Sequence, residues 1–323
     1  MAEYINIRGQ NIEVVASDPA NPTQGQIWYN STSNTLKGQA FQTAAWATGG
    51  NLPLINYGLA SAGTATAGLA FGGTTPTAPA YTATTNEYDG TSWTSGGSMA
   101  LARTERGGTG LQTAALAAAG EAGATNATEE YNGSTWTTGG NMAAPNYGIR
   151  GFGTQTAAVM ASNLSVEEYD GNSWTTSNGL NDGRRALSGC GTQTAGLAFG
   201  GKTVASLYST ATEEYDGNSW TTGGSLGTGR YSGAGFGTQT AGVYFAGNDG
   251  PPAFLTGETE EYDGTSWTTS PASLNTTRFV LGGLGTQPAG LAFGGYVGSP
   301  TRTAATEEWN GAGSPTTKTI TVS

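Results

Sequence analysis

Histidine is missing from all 323 residues. Its absence excludes imidazole acid/base catalysis, the Ser-His-Asp and Cys-His nucleophile systems, and every His-ligated metal site. A single cysteine, Cys190, excludes intrachain disulfides, thiolate zinc clusters and iron–sulfur ligation. Only 12 Lys and Arg stand against 23 Asp and Glu, for a net charge of −11, so a phosphate-tracking surface for nucleic acid is not expected. No apolar run approaches the roughly 18–20 residues of a membrane span. The N-terminal MAEYINIRGQ lacks the basic and apolar regions of a cleaved signal. Large aliphatics are scarce as well, with Leu, Ile, Val and Phe together only 44 residues. The chain instead carries 54 Gly, 14 Tyr and 8 Trp, which is odd for a globular core but not the composition of a disordered chain.

An internal repeat organises these residues. One unit reads R-x6-GTQTAGLAFGG, a loop, then ATEEYDGNSWTTGGSL. A turn-proximal glycine recurs as Gly63, Gly110, Gly153, Gly191, Gly237 and Gly285, at intervals of 47, 43, 38, 46 and 48. Tryptophan recurs as Trp46, Trp93, Trp136, Trp174, Trp220 and Trp267, at 47, 43, 38, 46 and 47. Between them stand Tyr88, Tyr131, Tyr169, Tyr215 and Tyr262, with Trp309 in the last copy. Each unit holds four short runs separated by turn signals, such as Thr238-Gln239-Thr240 and Asp263-Gly264-Thr265. No stretch has a helical period with caps. The expectation is all-β, a six-bladed β-propeller with one four-stranded blade per unit. Small residues should sit near the axis, where blades converge, and aromatics further out.

The Gly-Gly pair ending the second run (Gly72-Gly73, Gly200-Gly201, Gly294-Gly295), followed by a Tyr and then a Trp at short fixed distance (Tyr215, Trp220), resembles the kelch repeat. The resemblance covers about 46–323 and implies a kelch-type propeller, a fold that hosts many activities. It departs in units two and three, which carry Ala119-Gly120 and Ser162-Asn163, and in the last, where Trp309 replaces Tyr. The units run near 46–93, 94–136, 137–174, 175–220, 221–267 and 268–323. The last unit lacks its own Trp run. Closure is expected from the AWATGGNLP segment at Ala45, with the C-terminal TKTITV as the competing strand.

Residues 1–40 precede the propeller of 41–323 and read as a linker and a short β-hairpin around Ile27, Trp28 and Tyr29. The string GQIWYNSTSNTLKG resembles a segment near the ends of tailed-bacteriophage fibres and appendages, and the GTQTAGLAFGG arrays are similar to phage structural proteins. That resemblance implies a virion protein, at the particle surface, attached to other virion proteins through the N-terminal segment and able to form an oligomer there. It implies a host-surface glycan or protein as ligand. The alternative is a capsid or tail decoration protein whose loops contact neighbouring subunits.

Most chemistry-bearing residues repeat, and repetition signals architecture. Glu pairs precede each Tyr (Glu213-Glu214, for example), and Asp89, Asp170, Asp216 and Asp263 follow it. A ring of carboxylates for Ca²⁺ is conceivable. The favoured reading is an exposed Glu alternating with one paired to Arg, and an Asp setting the turn. Arg103, Arg184, Arg230 and Arg278 each lie seven residues before the turn glycine, with Asn56 and Asn146 in the other two units. They are expected to satisfy carbonyls or a Glu between blades. YDGNSW resembles the sialidase Asp-box only superficially, because its Gly and Trp spacing differs. The copper site of the kelch-type galactose oxidase needs the missing His. Cys190 reads as a small buried residue. No catalytic residue, metal or cofactor is expected.

What does not repeat is the loop between the second and third strands. Strand alternation puts these loops and the fourth-to-first connections on one face, and the TQT and Asp-Gly turns on the other. The loops carry Tyr81, Lys202, Tyr208, Asp249, Phe254, Tyr296 and Arg302. Irregular loops on a rigid scaffold carry function, so this aromatic-tipped face is the expected ligand-binding site.

Overall fold

A computed structural model describes residues 12–20, 26–41, 43–76, 80–104, 107–121, 125–163, 165–205, 208–251, 254–298, 300–313 and 315–320. The described secondary structure is all-β, without a helix, and mainly four-stranded antiparallel sheets in a propeller-like arrangement. The chain forms two compact units, one of 45–310 and one of 1–44 with 311–323.

In the larger unit, six four-stranded sheets follow the six sequence repeats. Sheet 5 is typical, with strands Ala234–Thr238, Ala241–Phe245, Thr259–Tyr262 and Trp267–Thr269 side by side in chain order. Sheet 6 takes Gly282–Thr286, Ala289–Phe293 and Thr306–Asn310, then borrows Ala45–Thr48 as its fourth strand. Of the two candidate closing strands, the Trp46 segment fills the place. The C-terminal strand Pro315–Thr319 pairs instead with Thr35–Phe41. The division at 40/41 is therefore corrected. The end of the chain belongs with the beginning because the outer edge of sheet 6 is already paired.

The glycine before each TQT-type turn has positive φ, between 101° and 132°. There L side chains are disfavoured, and a Cβ at Gly63 would run into the Ala67 carbonyl. Other glycines make room for rings. A Cβ on Gly196 would strike Phe152, and one on Gly290 would strike Phe236, so each phenylalanine lies over a glycine of the next sheet. The few large side chains thereby fill the space between sheets at interior density.

Polar side chains tie each sheet to the one before it. Tyr131 donates to Glu87 (2.5 Å), Tyr169 to Glu130 (2.5 Å), Tyr262 to Glu214 (2.6 Å) and Tyr215 to Glu168. Tyr88 of sheet 1 donates to Glu308 of sheet 6 (2.5 Å), so first and last are joined like the rest. The Glu next to the repeat aromatic is thus tyrosine-bound in five of the six sheets, not merely exposed as the sequence suggested. The indole N–H of Trp136 donates to Thr85, Trp174 to Thr128, Trp267 to Thr212, Trp93 to Thr306 and Trp46 to Thr259, all at 2.8–2.9 Å. Where Val166 replaces the threonine, Trp220 turns to the Asn178 carbonyl (3.0 Å). The turn glutamines reach back too. Gln155 Nε2, for example, donates to the carbonyls of Ala115 and Tyr131. Near the axis, backbone N–H groups of Gly58, Val280, Ser232 and Ala186 donate to the carbonyls of Val280, Ser232, Ala186 and Gly148 in turn.

Burial, and then the carboxylate bond, push Tyr131, Tyr169, Tyr215 and Tyr262 up to about 12. An unfolded tyrosine ionises near pH 10. Because the folded value is raised, this stabilisation is complete below pH 10 and is lost as pH rises towards 12. A phenolate absorbance titration should show these side chains ionising only near 12, together with loss of the β circular dichroism signal. Ionisation near 10 in an intact fold would refute the ladder.

One rung is missing. Trp309 replaces the tyrosine of sheet 6 and donates to Gln287 O (2.7 Å), leaving Glu261 of sheet 5 without a tyrosine. Desolvation raises the Glu261 pKa, opposed by a Ser270 bond. A raised carboxylate favours folding at low pH and is a burden once both states ionise. Glu261→Gln should therefore raise the melting temperature at pH 7, with the gain vanishing below pH 4. A lower melting temperature at pH 7 would contradict this.

The smaller unit is one sheet. Glu13–Val15 runs parallel to Ile27–Asn30, which pairs antiparallel with Thr35–Phe41 through the Ser31–Asn34 turn. The expected hairpin is there. Trp28 is buried and donates to Asp18 (3.0 Å), which also accepts from Asn30 (2.7 Å) and Lys37 (2.6 Å). Those bonds, Lys37 foremost, hold Asp18 down at about 2.

Candidate binding face

The repeated acids and bases are structural. Arg103, Arg184, Arg230 and Arg278 are fully buried and pair with Glu129, Glu213, Glu260 and Glu307 at 3.2, 2.5, 3.0 and 3.0 Å. Each guanidinium also donates to a carbonyl 14 residues on, as Arg184 does to Ala198 (3.2 Å). Pair and carbonyl lie within one sheet's own repeat rather than between blades, because the arginine precedes the innermost strand and reaches across it. Sheet 1 has Asn56 and Asn86 where these pairs stand. Sheet 3 keeps Glu167, which accepts from Ala143 N (2.8 Å). No cluster of metal-ligating side chains occurs among the described residues.

On the turn face, Asp89, Asp170, Asp216 and Asp263 each accept backbone N–H bonds from the residues two and three further on (2.7–2.9 Å). Those bonds lower all four carboxyls. The turn spans four residues, from Asp to Ser, with the aspartate capping it. It is not a two-residue Asp-Gly turn. This face is regular and acidic.

An axial cavity of about 150 Å³ is lined by the innermost strands of all six sheets. Arg150 is the one charged side chain among its lining residues, and Cys190 lies in the same wall. Burial pushes the Cys190 thiol up to about 12, which disfavours the reactive thiolate.

The loop face is different. Six of the seven exposed large apolar side chains described in the larger unit lie there, namely Leu54, Ile55, Leu101, Tyr147, Val204 and Phe254. Two groups of aromatic and basic residues mark junctions between sheets. At the sheet 6/1 junction, the Arg302 guanidinium sits over Tyr57 (4.8 Å) and Tyr296 (5.6 Å), and Tyr296 meets Phe279 edge-on at 5.2 Å. At the sheet 4/5 junction, the Lys202 ammonium sits over Tyr231 (5.2 Å), which stacks on Tyr208 at 5.7 Å. Gly250 packs against the Tyr208 ring, and Phe254 N donates to Gly250 O (2.7 Å). Phe254 is 51% exposed at φ 61°, a left-handed conformation that a bulky residue rarely adopts.

The expected residues thus divide. Lys202, Tyr208 and Phe254 are chained together, with Asp249 beside Gly250 and its Oδ1 buried without a hydrogen-bond partner. Tyr296 and Arg302 form the other group. Tyr81 is half-buried and bridged to Thr74, which is bridged in turn to Tyr57 of the second group. Sequence reasoning missed Tyr57, Tyr231 and Phe279. They precede the innermost strand in three units, and an aromatic at that repeated position was the signal available. In the smaller unit, Ile27 and Tyr29 are half-buried and Trp28 is wholly buried, so the Trp28 ring is not a contact surface.

No family model matches the sequence, and no curated protein does. Among solved structures, the chain is similar to the one described as the structure of YjhT, with a TM-score of 0.66 over 80% of this chain and 96% of that one. At 10% identity, this likeness shows a shared fold alone.

Proposed function

We propose that residues 45–310 are a closed, six-bladed, kelch-type β-propeller of a phage-type virion protein, and that it is a non-enzymatic binding platform for a host-surface ligand. The smaller sheet unit is the particle-attachment part. The observation that carries this reading is the contrast between the two faces. The turn face repeats one hydrogen-bonded turn, whereas the loop face gathers the non-repeating aromatic, basic and exposed apolar residues. Irregular side chains on a rigid repeat are what recognition of an asymmetric ligand needs. The propeller needs no cofactor or metal for this. The virion assignment rests on the resemblance of the N-terminal string and the repeat to phage structural proteins.

Labelled protein should bind candidate host cells saturably, and Arg302→Ala with Tyr296→Ala should reduce that binding without lowering the melting temperature. Absence of binding to any host cell, with the loop face covered in the intact particle, would favour the second reading. In that reading the protein decorates a capsid or tail, and exposed Leu54, Ile55 and Val204 suit a neighbouring subunit.

A further inference from the structure

Basic residues are scarce, and their placement is uneven. In the larger unit four are consumed by the buried pairs. The others that the structure describes, Arg150, Arg185, Lys202 and Arg302, all stand at the loop-face end of their strands or in its loops. The opposite face carries the four turn aspartates. The loop face also carries Glu121, Asp182, Asp249 and Glu258, so the two faces differ in their cations rather than in their acids.

Two of these cations are set directly opposite each other. The two-residue strands Arg184–Arg185 and Lys202–Thr203 pair antiparallel, with Arg185 in register with Lys202. Residues opposite one another project from the same side of a sheet, and like charges so placed are destabilising. Neither side chain has a carboxylate within ion-pair distance among the described residues. A chain of net charge −11 has no general shortage of anions to set there. Beside the pair lies an aromatic floor, Tyr231 under the Lys202 ammonium, Tyr208 stacked on it, and strained, exposed Phe254 beyond Gly250.

From this we infer that the sheet 4/5 junction of the loop face is a subsite for an acidic saccharide, a uronate-type sugar of a polysaccharide. Its carboxylate bridges Arg185 and Lys202, and its ring lies along Tyr208 and Phe254. The inference rests on the host-ligand reading above and deepens it. The cation pair supplies charge complementarity to the carboxylate. The flat apolar ring faces suit the C–H face of a pyranose, and the tyrosine hydroxyls suit its alcohols. A simple inorganic anion would leave the aromatic floor unused.

The test is binding of the full chain to polygalacturonate, with dextran as neutral polymer and poly-glutamate as acidic peptide. Polygalacturonate should bind saturably, dextran not at all, and poly-glutamate at least about tenfold more weakly. Arg185→Gln and Lys202→Gln should each lose at least about tenfold in affinity, the loss of one charge-assisted hydrogen bond. Phe254→Ala should weaken binding too, and Asp263→Asn, on the other face, should not. Without ligand, Arg185→Gln should melt no lower than the parent, because a repulsion is relieved; a lower melting temperature would overturn the like-charge argument. Polygalacturonate should raise the melting temperature of the parent and not of the Arg185→Gln/Lys202→Gln double variant. Equal binding of poly-glutamate would overturn the saccharide class, equal binding of dextran the requirement for acid, and unchanged affinity in both Gln variants the site. Host cells bound normally by a protein that ignores polygalacturonate would overturn this inference and leave the host-ligand reading standing. Failure to bind cells as well would remove both.

Discussion

Replacing Arg278 by Ala should destabilise the larger unit by about 3–5 kcal/mol, the cost of breaking a buried ion pair by removing one partner. The guanidinium is fully buried, 3.0 Å from Glu307 Oε1, and donates to the Ala305, Gly294 and Ala292 carbonyls at 2.9, 3.3 and 3.4 Å. Alanine strands a buried carboxylate and takes a donor from three carbonyls, of which Ala305 O keeps the Gly294 N–H (3.1 Å). Glu307 retains only the Asn275 amide groups and a long bond from Thr276 N (3.4 Å). A loss of this size corresponds to a fall of about 10 °C in melting temperature for a unit of this length.

The decisive comparison is with Arg278→Asn/Glu307→Asn, which copies the pair found in sheet 1. There Asn56 Nδ2 donates to Gly72 O (2.6 Å), and no buried charge is left over. The double variant should cost clearly less than Arg278→Ala, although it changes more atoms. If Arg278→Ala cost under about 1 kcal/mol, the range of exposed pairs, the pair would not be the core element described here.

The repeat made the sheets legible in the sequence because each structural need recurs. A glycine that must take positive φ appears at Gly63 and again at Gly285, and a Trp that must reach a threonine appears at Trp93 and again at Trp267. Partners were harder to read. The Tyr131–Glu87 bond joins different repeats 44 residues apart, and no spacing rule within one unit points to it. The exceptions are informative once both partners are in view. Val166 explains the turned Trp220, and Trp309 explains the lone Glu261. The loop face was legible as a face, through its lack of repetition, but not as two clusters. Tyr57 and Arg302 are distant in sequence, and they meet because sheet 6 lies against sheet 1.

Deleting residues 1–50 should destabilise the larger unit far more than deleting residues 1–44. The difference is the strand Ala45–Thr48, the only strand of the six sheets that is not continuous in sequence with its neighbour. It pairs Trp46 with Trp309, Ala47 with Glu308 and Thr48 with Glu307. Trp46 itself is buried, 4.8 Å from the Phe245 ring and 5.2 Å from Trp309, with its indole N–H bonded to Thr259. Trp46→Ala alone should cost about 3–5 kcal/mol, as large aromatic truncations in cores do. Trp93→Ala deletes the same side chain from a hairpin tethered by a four-residue turn, so it should cost a similar amount without releasing its strand. Trp46→Ala should release it. Amide exchange should then accelerate along Thr306–Asn310, whose outer edge becomes an unpaired strand, while Ala157–Ser162 stays protected until global unfolding. The released edge should also make this variant the more prone of the two to aggregate. Equal stability of the two truncations, or equal exchange in the two tryptophan variants, would mean that sheet 6 does not depend on its borrowed strand.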